Sequence, residues 1–299
     1  MSLNANHVTN LLNIDGTTVD LVDINSGIEA FKAKISQGRL TLTSNTPVLS
    51  SSVTGATTLY YTPYIGSQIS IWDGSKWSVR TFTERSLSLS GLAANTNYDV
   101  FIYDNAGTLT LEAVAWSNSS AGTSARASAL SFLNGVRVKD SDKRKYLGSF
   151  RTTATIGQTC FQYGGSGATP ARFFVFNEYN RVKRNLFANI YSGTHSYTTS
   201  TWRERLDSPD YGIQSIFPDL RLSLYCANQT NGFITLGVNG SVNLTGATRF
   251  GMQSAAISGE ISYDFVSSVY AGYNLYNVWE YGFTGNSFTI TNLLATFDF

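Results

Sequence analysis

The pattern of apolar positions changes character near residue 36. Before it, apolar residues are sparse: Thr9 to Asp23 (TNLLNIDGTTVDLVD) is polar with scattered Leu, Ile and Val, too few to build a core. Ser26 and Glu29 then stand at the spacing of a capping box, with Ser26 as N-cap. Ile28, Phe31 and Ile35 follow at helical spacing, and Gly38 is a natural stop. The pattern predicts a single helix of about ten residues, too short to stand alone in water. Such an arm docks on its own body, bundles with copies of itself, or inserts into another protein.

From residue 37 the period becomes two. Arg39 to Thr43 (RLTLT) alternates, and Thr57 to Tyr64 (TTLYYTPY) is β-branched and aromatic. In Gln68 to Trp77 (QISIWDGSKW), two strands flank Asp73-Gly74, a dipeptide suited to the positive φ angles of a tight hairpin. Ser86 to Leu92, Tyr98 to Tyr103, the turn Asp104 to Gly107, and Thr108 to Trp116 continue an antiparallel meander, closed by Val136 to Val138 and Tyr146 to Thr152. Residues 157 to 171 form a Gly-rich break, after which Arg172 to Phe176 resumes as a strand. Beyond Asn180 further strands are expected at Ser196 to Arg203, Leu220 to Cys226, Gly232 to Val238, Glu260 to Val266 and Ser287 to Asp298. The expected fold is all-β: two antiparallel β-sandwich or jelly-roll-like domains, residues 37–176 and 177–299, preceded by an N-terminal arm over residues 1–36. No repeat of fixed period points to a propeller or β-helix.

Composition sharpens this. Charged residues make up 14% of the chain, against about 25% in ordinary soluble domains, while aromatics reach 13%. Neutral polar and aromatic surfaces suit contact with another subunit or a sugar, where burying charge is costly. The net charge of +1 gives no general attraction to nucleic acid. The basic run Lys139 to Lys145 (KDSDKRK) is interrupted by acids and reads as a solvated turn. Cys160 and Cys226 are too few for a disulfide framework; they either pair or remain inert buried thiols. No apolar stretch reaches the roughly 20 residues that span a bilayer, so no membrane insertion is expected. The start MSLNANHVTN lacks a secretory signal, which implies synthesis in a cytoplasm.

Catalytic chemistry finds little to stand on. His7 and His195 have no Cys or carboxylate at a metal-ligand spacing, and no GxSxG elbow supplies a nucleophile. The acids Asp99, Asp104, Glu112, Glu178, Glu204, Asp207, Asp210, Glu260, Asp264 and Glu280 would have to pair across a cleft to hydrolyse sugars, and most fall in turns. Gly164-Gly165-Ser166-Gly167 lacks the GK[ST] of a phosphate loop. The expectation is therefore a protein without catalytic, cofactor or metal sites. Tyr263, Tyr270, Tyr273, Tyr276, Trp279 and Tyr281 crowd together near the C-terminus. Of these, Tyr270, Tyr273, Tyr276 and Trp279 are candidates for a recognition surface or for an interface, since aromatic rings stack on sugars and fill subunit contacts alike.

Several passages, in one order, resemble a widespread module of tailed-bacteriophage virion proteins. They are GRLTLTSNTPV (Gly38 to Val48), TTLYYTPYIGSQISIWDGSKW (Thr57 to Trp77), YDVFIYDNAGTLTLEAVAW (Tyr98 to Trp116) and RVKDSDKRKYLGSFRTT (Arg137 to Thr153). FFVFNEYNRVKR (Phe173 to Arg184) and YTTSTWR (Tyr197 to Arg203) are similar too. The resemblance covers about residues 38 to 205 and implies a non-enzymatic structural protein of the virion. A tail fibre or spike that meets the host surface is expected first, with a capsid decoration or head-fibre protein, or a polysaccharide depolymerase, as alternatives. It further implies a homotrimer; the arm, which the resemblance does not reach and which cannot fold alone, is expected to meet other virion proteins through Ile28, Phe31 and Ile35, with a host glycan or protein as the distal partner. The resemblance brings no catalytic motif with it.

Overall fold

The computed structural model describes residues 3–6, 11–14, 17–123, 125–164, 170–189, 196–204, 213–216, 219–242, 257–266 and 272–298. It is an all-β sandwich with a single short helix among the described residues.

The helix runs Leu21–Ala33, so it starts five residues upstream of the expected N-cap. Ser26 lies inside it. The Glu29 carboxylate accepts from the Trp77 backbone N–H instead of folding back onto Ser26, and it also holds Lys32 at 3.0 Å. That backbone donor, reinforced by Lys32, keeps the Glu29 carboxyl below its usual range. Leu21, Ile24, Ile28 and Phe31 recur at alternating steps of three and four, which extends the apolar stripe upstream and carries the helix with it. Ahead of it, Leu3–Asn6, Leu11–Ile14 and Thr17–Asp20 form a small antiparallel meander. Each of these strands is only four residues long, too short to show a clear period.

Two turns show how local chemistry sets the hairpins. Gln68–Trp72 and Trp77–Thr81 pair across a four-residue loop in which Gly74 has φ +103°. The Asp73 carboxylate closes that loop by accepting from the N–H groups of Ser75 and Lys76, and these bonds hold its carboxyl far below the usual range. The two-residue turn expected at Asp73-Gly74 occurs instead at Ala106 and Gly107, both at positive φ, between Asn97–Asn105 and Thr108–Ala115.

Asn97–Asn105 lies in a six-stranded antiparallel sheet in the order Thr108–Ala115, Asn97–Asn105, Lys145–Arg151, Val136–Lys139, Leu130–Leu133, with Val175–Asn177 also on Lys145–Arg151. All seven residues of Lys145–Arg151 are buried. Leu147 is the extra residue of a bulge opposite Val100 and Phe101. At Gly148 (φ +152°) a Cβ would meet the Phe176 carbonyl oxygen at 1.9 Å, so only glycine lets these two backbones approach.

A ten-stranded sheet joins both halves of the chain. Val53–Ala56, Thr159–Gln162, Ala171–Phe173, Ile213–Ser215, Asn274–Asp298 and Asp219–Val238 are neighbours in that order. Ala171–Phe173 and Ile213–Ser215 run parallel, whereas the other pairs are antiparallel. Strands and core residues on either side of residue 177 thus belong together: Leu40, Tyr61, Val100, Phe150, Phe161 and Phe173 share one hydrophobic cluster with Tyr197, Ile216, Tyr276 and Val278. A second, smaller cluster of Ala33, Trp77, Val136 and Val138 fastens the end of the helix to the body.

Candidate binding cleft

Arg151 ends the buried strand. Its backbone N–H donates to Phe174 O and its carbonyl accepts from Thr159 Oγ1, which fixes the residue between two sheets. The side chain is 6% exposed. Nη1 donates to Asn97 Oδ1 and to Ser119 O, both at 2.9 Å, and the guanidinium lies 3.6 Å from the centre of the Tyr273 ring. Phe174 meets the same ring edge-on.

These residues form one wall of a cleft of about 390 Å³. Arg172, Asn95, Thr153, Thr155, Gln162 and Cys160 complete most of the lining, and none of the described lining residues is a carboxylate. Thr153 and Thr155 belong to a turn held by Thr153 N–H donating to Gln158 O at 2.7 Å. Asn95, at φ +51°, donates its N–H to Thr153 O and ties the facing turn to it. Burial lowers the Arg151 guanidinium, with the neighbouring Tyr273 opposing, and no acid contributes. Cys160 is a free thiol that burial pushes up to about 12, so it is not a nucleophile at neutral pH. The chemistry of the lining is that of two guanidiniums, neutral hydrogen-bonding groups and an aromatic wall: it can hold an anion.

Of the aromatic candidates, Tyr273 lines this cleft, Tyr276 is buried in the main core, and Trp279 is half-buried with an indole N–H that has no partner among the described residues. Tyr270 lies outside the described residues, as do His7, His195, Asp207, Asp210 and residues 165–169 of the Gly-rich break. Of the arm residues, Phe31 is 74% exposed and Ile28 45%, while Ile35 is half-buried. Five of the candidate acids are engaged with cations: Asp99 with Arg126, Asp104 with Arg80, Glu112 with Lys139 and Arg144, Glu178 with Arg137, and Glu280 with Arg203. The basic run around Lys139 is part of the network centred on Glu112. Among the described residues no cluster of three His, Cys, Asp or Glu could hold a metal, and no helix is long and apolar enough to cross a membrane. The two arginines of the cleft were not singled out from the sequence. They sit in separate strands about twenty residues apart, and nothing local marks either as buried.

No family model and no curated protein matches the chain. Among solved structures it is similar to BuGH86wt in complex with neoagarooctaose, at 10% identity and TM-score 0.25 over 82% of this chain and 33% of that one. It is also similar to a structure of infectious bursal disease virus Gx strain, at 10% identity and TM-score 0.27 over 84% and 72%. A third is the insecticidal delta-endotoxin Cry8Ea1 from Bacillus thuringiensis, at 8% identity and TM-score 0.20 over 88% and 52%. The chain spans about a third of the length of the first of these. Overlaps this slight carry no argument about function.

Proposed function

We propose that the chain is a non-enzymatic structural component of a bacteriophage particle, a homotrimeric tail fibre or spike that is anchored by its N-terminal arm and meets the host surface with its β-structure. One observation carries the reading. The helix is fixed to the body on one side and turns apolar residues to water on another. Ala33 packs with Trp77, Val136 and Val138, and Lys145 reaches the carbonyls of Ala33 and Ile35. Ile28 and Phe31 are exposed at 45% and 74%. Large apolar groups held outward on a rigid support mark a contact surface rather than a frayed end. The steps of three and four between Leu21, Ile24, Ile28 and Phe31 describe the narrow seam along which one helix packs on another.

Changing Ile28 and Phe31 together to Ser tests this, because neither side chain supports the core. The double variant is expected to fold as the parent does and to be missing from purified particles. Incorporation at the parent level would overturn the anchoring role. Immunogold labelling with an antibody against residues 206–299 locates the protein: gold at the tail supports a fibre, and gold over the head would replace that reading with capsid decoration.

A further inference from the structure

We infer that the cleft between Arg151 and Arg172 is a binding site for the carboxylate of an acidic sugar residue, such as a uronic or sialic acid. The argument begins with a cation that lacks an acid. Arg80, Arg126, Arg137, Arg144 and Arg203 each hold a carboxylate within 2.9 Å. Arg151 is more deeply buried than most side chains of its kind, yet its only hydrogen bonds among the described residues run from Nη1 to the neutral oxygens of Asn97 and Ser119. Nε and Nη2 have none among the described residues and are not sealed from solvent. Burying most of a charge is costly unless a partner compensates it, and no described residue lining the cleft that Arg151 shares with Arg172 is an acid. The missing partner is an anion from outside.

The other walls narrow its class. A guanidinium presents a planar fork that matches a carboxylate with two parallel hydrogen bonds. Asn95, Thr153, Thr155 and Gln162 supply neutral donors and acceptors of the kind that pair with ring hydroxyls, and Tyr273 with Phe174 adds an apolar wall. The volume, about 390 Å³, is at the small end of ligand sites, which suits one sugar residue and its acid rather than a long chain. The inference deepens the host-facing part of the proposed function by giving it a ligand class, but binding by the isolated chain does not depend on attachment to a particle.

The test uses the full-length purified chain and calorimetric titration with glucuronic acid, N-acetylneuraminic acid, glucose, glucose 6-phosphate and inorganic phosphate. Binding of at least one of the two carboxylate sugars is expected, at least about tenfold tighter than glucose. Thr155 sits exposed on the rim and its hydroxyl makes no hydrogen bond, so T155D introduces a like charge without touching the support of Arg151. T155D is expected to weaken the carboxylate sugar at least about tenfold more than T155N, which changes the same position without adding a charge. Equal binding of glucose, an unaffected T155D, or no binding by either carboxylate sugar would overturn the inference. Binding of glucose 6-phosphate or inorganic phosphate alone would also overturn it, assigning the cleft to phosphate. Mass spectrometry of purified particles separates the two readings: a chain present in particles that binds no acidic sugar sinks the cleft alone, whereas a binding chain absent from particles sinks the virion role alone.

Discussion

Lys145 offers the sharpest test of how the arm is held. Its side chain has no exposure, and Nζ donates to Ala33 O at 2.9 Å and Ile35 O at 2.7 Å, where the helix ends. The Trp77 and Tyr179 rings lie 5.7 and 5.0 Å away, and no carboxylate pairs with it. Carbonyls at a helix end favour a cation, but burial dominates and pulls the ammonium down to about 7. In the unfolded chain the same group titrates at about 10.4. The folded amine therefore gives up its proton first. Between those two values the unfolded state binds more protons, so stability rises with pH, by a slope that approaches about 1.4 kcal/mol per pH unit.

Between about pH 7.5 and about pH 9 the folded amine goes from roughly a quarter protonated to nearly none, while the unfolded one stays charged; the gain is about 2 kcal/mol. K145M keeps the length of the side chain and removes the titration. Urea unfolding of parent and variant across that range is the assay, and the difference between them is the quantity to follow. Cys160, pushed up to about 12, also perturbs stability near the alkaline end, but it is common to both proteins and cancels. The parent should gain about 2 kcal/mol on K145M over the range. Parallel pH dependences would show that the carbonyls and rings keep the amine charged, and the argument from burial would fail.

Three further outcomes follow from single features. G148A places a methyl group 1.9 Å from the Phe176 carbonyl at a φ of +152°, and should cost about 4 kcal/mol or more by urea unfolding; a loss below about 1 kcal/mol would mean that the two strands can separate without penalty. R126M leaves Asp99, 2% exposed, with the Ser149 hydroxyl but no cation, at a cost of about 3 kcal/mol near neutral pH. Burial already pushes the Asp99 carboxyl up, so R126M should recover part of that loss in acid, where Asp99 is protonated; an unchanged deficit at low pH would contradict this. Native Cys160 should react with an alkylating agent at pH near 8 at least about a thousandfold more slowly than after unfolding, as followed by peptide mass mapping that resolves it from Cys226. Equal rates would place the thiol in water.

Much of the first half of the fold was legible because its strands announce themselves in pairs. Gln68–Trp72 with Trp77–Thr81 and Asn97–Asn105 with Thr108–Ala115 are local hairpins whose turn residues sit between alternating strands. The arm was legible in kind and wrong in extent. Ser26 and Glu29 have the spacing of a cap, but Glu29 finds its backbone donor in Trp77, forty-eight residues away, and a short-range pattern carries no trace of that. The C-terminal part was read as separate short strands, whereas Asp219–Val238 and Asn274–Asp298 are continuous, joined through register shifts near Cys226 and Thr230 that keep the pairing going where the alternation slips. Of the cleft, only Tyr273 stood out. An arginine in a strand reads as a solvent-facing residue, and nothing in YLGSFRT says that both faces of that strand are covered.

That strand, Lys145–Arg151, carries a completed cation site at one end and an open one at the other. A strand buried on both faces is ordinarily apolar along its length, yet this one has a cation at each end, about 20 Å apart at about 3.3 Å per residue. At the Lys145 end the helix supplies two carbonyl oxygens, so the ammonium is satisfied from within and can shed its charge as pH rises. At the Arg151 end the protein supplies two neutral oxygens to a single nitrogen and an aromatic face, and the guanidinium keeps its charge at any physiological pH. A lysine can relieve its burial by losing a proton; an arginine keeps its proton and must find acceptors, as Arg39 does in the Pro47 and Asn180 carbonyls. The difference in side-chain chemistry makes the first end a fastening for the arm and the second a place where a ligand completes the fold.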